Sequence, residues 1–153
     1  MTPNFNNEKE GQNKFFEKIS INPDSIDYSC NTDGTYYGTI FEFKLNIANY
    51  NSTLFQTIKY LSKMRIQGIP VPRNILLIDL NQSLIYLFYS EKFINEIETN
   101  YVGAASKNNK EFNTKIKPHI IKYSTTEGLQ ELLNIVNTHI YTKININLFC
   151  VTG

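Results

Sequence analysis

The chain has 153 residues, 41% of them hydrophobic and 19% charged, with a formal net charge of +1. That length and balance fit one domain with a real core and exclude a disordered chain. The near-zero charge excludes bulk attraction to nucleic acid, so any such binding needs a local basic patch.

The polar start, "MTPNFNNEKEGQNK", shows no apolar signal core, and no run reaches ~18 apolar residues. A cytoplasmic chain with no membrane partner is the expectation. Cys30, Cys150, His119 and His139 have no zinc spacing and too few thiols for a disulfide scaffold.

"NEKEGQNKFFEKIS" reads as a helix, with Glu8, Gln12, Phe16 and Ile19 on one face. "SIDYSCNTDGTYYGTIFEFKL" reads as two strands, with turn chemistry at Asp33-Gly34 or around Tyr37-Gly38. Phe41, Phe43 and Leu45 fall on one face of the second strand, and Glu42 and Lys44 on the other. "NSTLFQTIKYLSKMRIQG" predicts a helix capped within Asn51 to Thr53, with Leu54, Ile58, Leu61 and Met64 as its apolar stripe and Gly68 as its stop. "NILLIDL" is nearly continuous in apolar residues, as a strand buried on both faces would be. Strand, helix and buried strand in that order predict a crossover with 41–45 and 75–80 parallel. "SLIYLFYS" follows as a strand across an Asn81-Gln82 turn, and "EKFINEIETN" as a short helix capped by Ser90. Residues 101–113 read as a polar loop. "IKPHIIKYS" reads as an edge strand because Pro118 lacks a ladder donor, and "TEGLQELLNIVNTHIY" as a closing helix. Residues 1–153 form one domain in this reading, with 142–153 as a tail leading toward a further module.

A hairpin turning between Tyr37 and Gly38 sets Asp33 opposite Glu42, since both are equally far from that point. Cross-strand neighbours lie ~4.5–5.5 Å apart, and Lys44 lies ~7 Å along the same face. Two carboxylates so close in a partly dry site repel unless one is protonated or a cation lies between them. A hard ion such as Mg²⁺ prefers such oxygens, and a nearby lysine can orient a water or neutralise charge developing on a phosphate. The chemistry indicated is metal-assisted phosphodiester hydrolysis.

Asp33, then a hairpin, then Glu42-Phe43-Lys44, then a helix and a buried strand resembles the PD-(D/E)xK nuclease superfamily, although Thr32 stands where the name has Pro. Gln56 and Tyr60 resemble the Q-x-x-x-Y motif of its RecB-like branch. The resemblance covers roughly residues 8 to 90. It implies an α/β, restriction-endonuclease-like central mixed β-sheet flanked by helices. It also implies a Mg²⁺- or Mn²⁺-dependent endonuclease that hydrolyses DNA. Asp33, Glu42, the Phe43 carbonyl and Glu8, with Glu10 as second choice, would hold metal or its water. Lys44 would activate the attacking water, and Gln56 and Tyr60 would orient Lys44 or the phosphate. Lys63, Arg65, Arg73, Lys107 and Lys110 would contact phosphates. The chain further resembles the N-terminal cleavage module of a restriction–modification enzyme, with a fused or associated methyltransferase and target-recognition module.

Competing readings stand beside these. Glu42 and Lys44 fit an ordinary solvated strand face. Thr53-x-x-Gln56 fits a capping box, Tyr60 a rim aromatic, and the basic residues a soluble surface. A catalytically inactive nucleic-acid-binding or assembly module on the same fold is the alternative function.

Overall fold

The computed structural model describes residues 4–99 and 112–144. Tyr37 and Gly38, with φ of 32° and 92°, join β1 (Thr35–Tyr36) to β2 (Thr39–Lys44). Positive φ at both turn residues is the signature of a type I′ turn, whose twist matches that of the strands it joins. Gly38 is also crowded: a Cβ there would lie 2.5 Å from the Ile140 carbonyl oxygen. The strands pair Thr35 with Ile40 and Tyr36 with Thr39. Continued toward the N-terminus, that register sets Asp33 opposite Glu42, as the sequence arithmetic predicts.

The remaining elements are α1 (Glu8–Lys18), α2 (Tyr50–Ile66), β3 (Val71–Pro72), β4 (Asn74–Asp79), β5 (Leu84–Tyr89), α3 (Ile94–Thr99), β6 (His119–Lys122), α4 (Thr126–Val136) and β7 (Tyr141–Thr142). Five strands form a mixed sheet in the order β1-β2-β4-β5-β6. β2 and β4 run parallel with Glu42 beside Leu77 and Lys44 beside Asp79, and α2 makes the crossover. β4 to β5 and β5 to β6 are antiparallel, which leaves β6 on the outer edge directly after Pro118.

Helices cover both faces. Phe41 and Phe43 meet Phe15 and Phe16 of α1 with rings edge to face, and Leu132 and Val136 of α4 join the same cluster. Ile40, Ile75 and Leu77 pack on the other face against Leu54, Ile58 and Leu61 of α2. Each such buried side chain contributes roughly 1.5–3 kcal/mol relative to exposure.

Local chemistry departs from the sequence reading in three places. Residues 25–32 form no strand. Asn22 and Asp27 side chains accept N–H groups two residues on, and two short 3-10 turns result. Only the Asp27–Thr35 bridge remains of the expected pairing. The second helix starts at Tyr50, capped by Asn49 through the Asn51 N–H rather than by Asn51 to Thr53. Ser90 caps no helix. Its hydroxyl donates to the Pro72 carbonyl at 2.7 Å and meets the Thr142 hydroxyl at 2.6 Å. Those contacts brace a second, two-stranded sheet in which Val71 and Pro72 pair with Thr142 and Tyr141. Thr142, the first residue of the predicted tail, is therefore tied into the fold. Residues 145–153, and 101–111 of the polar loop, lie outside the described residues.

Candidate functional site

Alternation along β2 sends Ile40, Glu42 and Lys44 to the α2 face and Phe41 and Phe43 to the α1 face. Asp33 lies just beyond the paired part of β1. The Phe41 N–H donates to the Gly34 carbonyl at 2.9 Å. The next inward donor, the Phe43 N–H, meets the Asp33 carboxylate at 2.9 Å instead of a strand. Asp33 is thereby fixed at the edge of β2, beside Glu42.

Glu42 is 3% exposed. Burial first, then the Asp33 charge, push its carboxyl from 4.5 up to about 8. The Lys44 ammonium pulls the other way, and the hydrogen bond with Asp33 and the charge of Glu8 add smaller upward pushes. At neutral pH Glu42 therefore keeps its proton. The Lys44 amine stands 3.8 Å from the Glu42 carboxylate. Glu8 of α1 is near enough for its charge to be felt at Glu42; Glu10 is exposed.

Gln56 donates its amide to the Tyr60 hydroxyl at 3.0 Å. It is not folded back on the Thr53 N–H, so the capping-box reading does not hold. Burial raises the Tyr60 phenol above its ordinary value, against the Gln56 hydrogen bond; the Glu42 and Asp33 charges raise it further, and Lys44 opposes them. Tyr60 is thus within electrostatic reach of all three charged residues. Leu54, Ile58 and Leu61 fill the core from the same helix, as the sequence pattern predicts.

The predicted phosphate contacts divide. Lys63, half-buried, lies one turn beyond Tyr60 on the same stripe. Arg65 does not. It is 1% exposed, with its guanidinium donating to the Glu98 carbonyl at 3.2 Å. Arg65 falls four residues after Leu61 and seven after Ile58, which is the core stripe and not the polar one. Arg73 is also misplaced. It pairs with Glu91 at 3.0 Å and stacks 4.2 Å from the Tyr89 ring centroid. Its position four residues before Leu77, the partner of Glu42, sets it ~13 Å along the sheet from the acids. Lys107 and Lys110 lie outside the described residues.

Among the described residues, no three His, Cys, Asp or Glu side chains form a group arranged for a metal ion. The donor set at the site is instead two carboxylates and main chain. A strand residue points its carbonyl toward the same neighbour as its N–H, so the Phe43 carbonyl faces the edge that Asp33 occupies. Two adjacent carboxyl groups, only one of them charged while no ion is bound, beside a carbonyl fit a hard divalent ion that keeps several waters.

One acid passed over in the sequence is Asp79, fully buried at the end of β4 beside Lys44. It accepts the Ile47 N–H at 2.8 Å and the Gln82 N–H at 2.9 Å, so its role is to fix two loops. The signal was present: an acid ending an apolar strand before a turn is a typical loop cap.

No family model matches this chain, and neither a curated protein nor a solved structure matches it. Among the described residues, no helix is long and apolar enough to cross a membrane.

Proposed function

We propose that this chain is a Mg²⁺- or Mn²⁺-dependent endonuclease that hydrolyses DNA, of the PD-(D/E)xK type on a restriction-endonuclease-like fold. The observation that carries the reading is the hairpin register. It sets Asp33 opposite Glu42, with Lys44 on the same α2-facing side as Tyr60.

Asp33, Glu42 and the Phe43 carbonyl would hold the ion, with Glu8 as an outer acid holding a water. A bound divalent ion supplies Lewis acidity at the phosphate and a more acidic water. The chain's own residues do the rest. Glu42 would hold the ion as the carboxylate, its proton passing to solvent. Lys44 orients the attacking water and offsets charge that develops on the phosphate. The Gln56–Tyr60 pair restrains that side of the cleft, and Lys63 meets the backbone. Within this reading the chain serves as the cytoplasmic cleavage module of a restriction–modification system. Sequence recognition then resides in a fused or associated methyltransferase and target-recognition module.

The test is cleavage of supercoiled plasmid and of linear duplex with Mg²⁺, Mn²⁺ or chelator. Metal-dependent nicking that disappears in Lys44→Ala supports the reading. Metal-independent nicking, or equal nicking by wild type and Lys44→Ala, overturns it.

The Asp33 bond to the Phe43 N–H favours a second reading. An acid that only ends a strand would make the same bond, as in an inactive binding or assembly module. Calorimetric titration with Mn²⁺ separates the two, since a merely structural Asp33 predicts no heat that depends on Glu42.

A further inference from the structure

One polar side chain of α1 is buried without a partner. Gln12 is 9% exposed, and its amide makes no hydrogen bond among the described residues. Buried amides in folded proteins nearly always have partners, and one that lacks them calls for a reason. The amide nitrogen and oxygen are not sealed from solvent, so the little of Gln12 that meets solvent includes its polar tip.

Neighbours on the helix fix where that tip lies. Glu8, Gln12 and Phe16 follow at steps of four and share one flank of α1. Gly11, one residue round the helix, faces the other way, against the Leu80 side chain just past β4. Phe16 bounds the flank at one end. Its ring packs on Phe41 and Phe43, and a Cβ built on Gly34, the residue after Asp33, would lie 3.8 Å from its Cζ. Glu8 bounds it at the other end, with its charge felt at Glu42. Gln12 stands between the two, on the flank turned toward the edge of β2 where Asp33 takes the Phe43 N–H. Main-chain groups at a strand edge lie in the plane of the sheet, so this edge is within reach of α1 as well as of α2.

The donors at that edge are few, being two carboxyl groups and main chain. A hard divalent ion held so sparsely keeps several waters, and partners for such waters orient the whole shell. A carboxamide suits that task. Its oxygen accepts from a water, its nitrogen donates to a carboxylate or phosphate oxygen, and it adds no charge that would repel the phosphate.

We propose that Gln12 is a positioning residue of the candidate site, its carboxamide joining Glu8 in holding a water of the bound divalent ion on the α1 side of the acid pair, across from Lys44. The proposal rests on the nuclease reading for its ion, but its test does not depend on cleavage.

The experiment is calorimetric titration of the full chain with Mn²⁺ and with Mg²⁺ at constant pH, beside metal-free thermal melts. Gln12→Met keeps the length of the side chain and removes the amide. It should melt at or above the wild-type temperature, because a buried amide without a partner costs more than a thioether. It should weaken ion binding about tenfold. Gln12→Leu repeats the comparison with a second apolar side chain. Gln12→Glu, which keeps an oxygen at the tip, should hold the ion at least as tightly as wild type. A merely structural Gln12 predicts the reverse, a lower melting temperature in Gln12→Met with ion affinity unchanged. Equal ion affinity of wild type and the apolar variants overturns the assignment and leaves the nuclease reading standing. No ion binding by wild type overturns both. Gln12-dependent ion binding without cleavage of plasmid or duplex leaves the assignment standing and overturns the nuclease reading.

Discussion

The Asp33 carboxylate takes the Phe43 N–H at 2.9 Å, so one side chain both ends a strand ladder and bears the charge that, after burial, raises the Glu42 carboxyl. The two roles separate by substitution. Asn at position 33 keeps an oxygen for the Phe43 N–H but carries no charge. Asp33→Asn should be nearly as stable as wild type at pH 7, where Glu42 is neutral, and should bring the Glu42 carboxyl down toward its ordinary value. Asp33→Ala should lose about 1–2 kcal/mol, because a backbone donor is left without its partner. Both should lose divalent-ion binding. Urea melts and Mn²⁺ titration of the two variants check this.

Stability should fall as pH rises. The Glu42 carboxyl sits at about 8 in the folded chain against an ordinary 4.5. Between those values the folded state binds the proton and the unfolded state does not, so stability is fully present below pH 4.5 and declines toward pH 8. The contribution is on the order of a few kcal/mol. Glu42→Gln should flatten that decline and be more stable than wild type at pH 8. Divalent-ion affinity of the wild type should rise over the same range, since the ion displaces the proton. Metal-free urea melts at pH 5 to 9 give the first result, and calorimetry gives the second.

Lys44→Ala should abolish metal-dependent cleavage while changing stability at pH 7 by about 0.5 kcal/mol or less. Its carboxylate neighbour is largely neutral there, so little ion-pair energy is lost. Tyr60→Phe, which removes only the oxygen that Gln56 binds, should slow cleavage about 10- to 100-fold through misplacement rather than fail outright. Single-turnover rates beside thermal melts distinguish these from unfolding.

Arg65 belongs to the fold rather than to the substrate. Arg65→Ala should cost about 2–4 kcal/mol, by opening a cavity and freeing the Glu98 carbonyl under α3. DNA affinity per folded molecule should not change. Lys63→Ala should do the reverse: weaken DNA binding, reduce its salt dependence, and leave the melt unmoved.

Periodicity made most of the fold legible. The alternation of Phe41, Phe43 and Leu45, the stripe of α2, and the apolar run of β4 each give the observed element, and their order gives the parallel pair. Locating the turn at Tyr37-Gly38 was enough to bring Asp33 and Glu42 together, because a two-residue turn leaves no freedom in register. Residues 25–32 were misread because Ile26, Tyr28 and Thr32 look like strand residues, whereas Asn22 and Asp27 bind their own backbone and turn the chain. Arg65 was misread because charge was weighed above helical position. The Val71–Thr142 pairing had no local signal at all, being set by contacts 71 residues apart.

The two outer strands of the sheet face different hazards. β1 is two residues long, and the gap past its end is filled by Asp33. Among the described residues β6 has no such filling. It is four residues long, with His119, Ile120 and Lys122 exposed, Ile121 buried, and Pro118 immediately before them. A free strand edge invites other chains to add to it, and short length, a proline and outward lysine all discourage that. Crowded together in a cell, copies of this protein find little at β6 on which to begin a shared sheet, and Ile120 is the one exposed apolar side chain within that strand that a further substitution to a larger apolar residue would turn into a nucleus for aggregation.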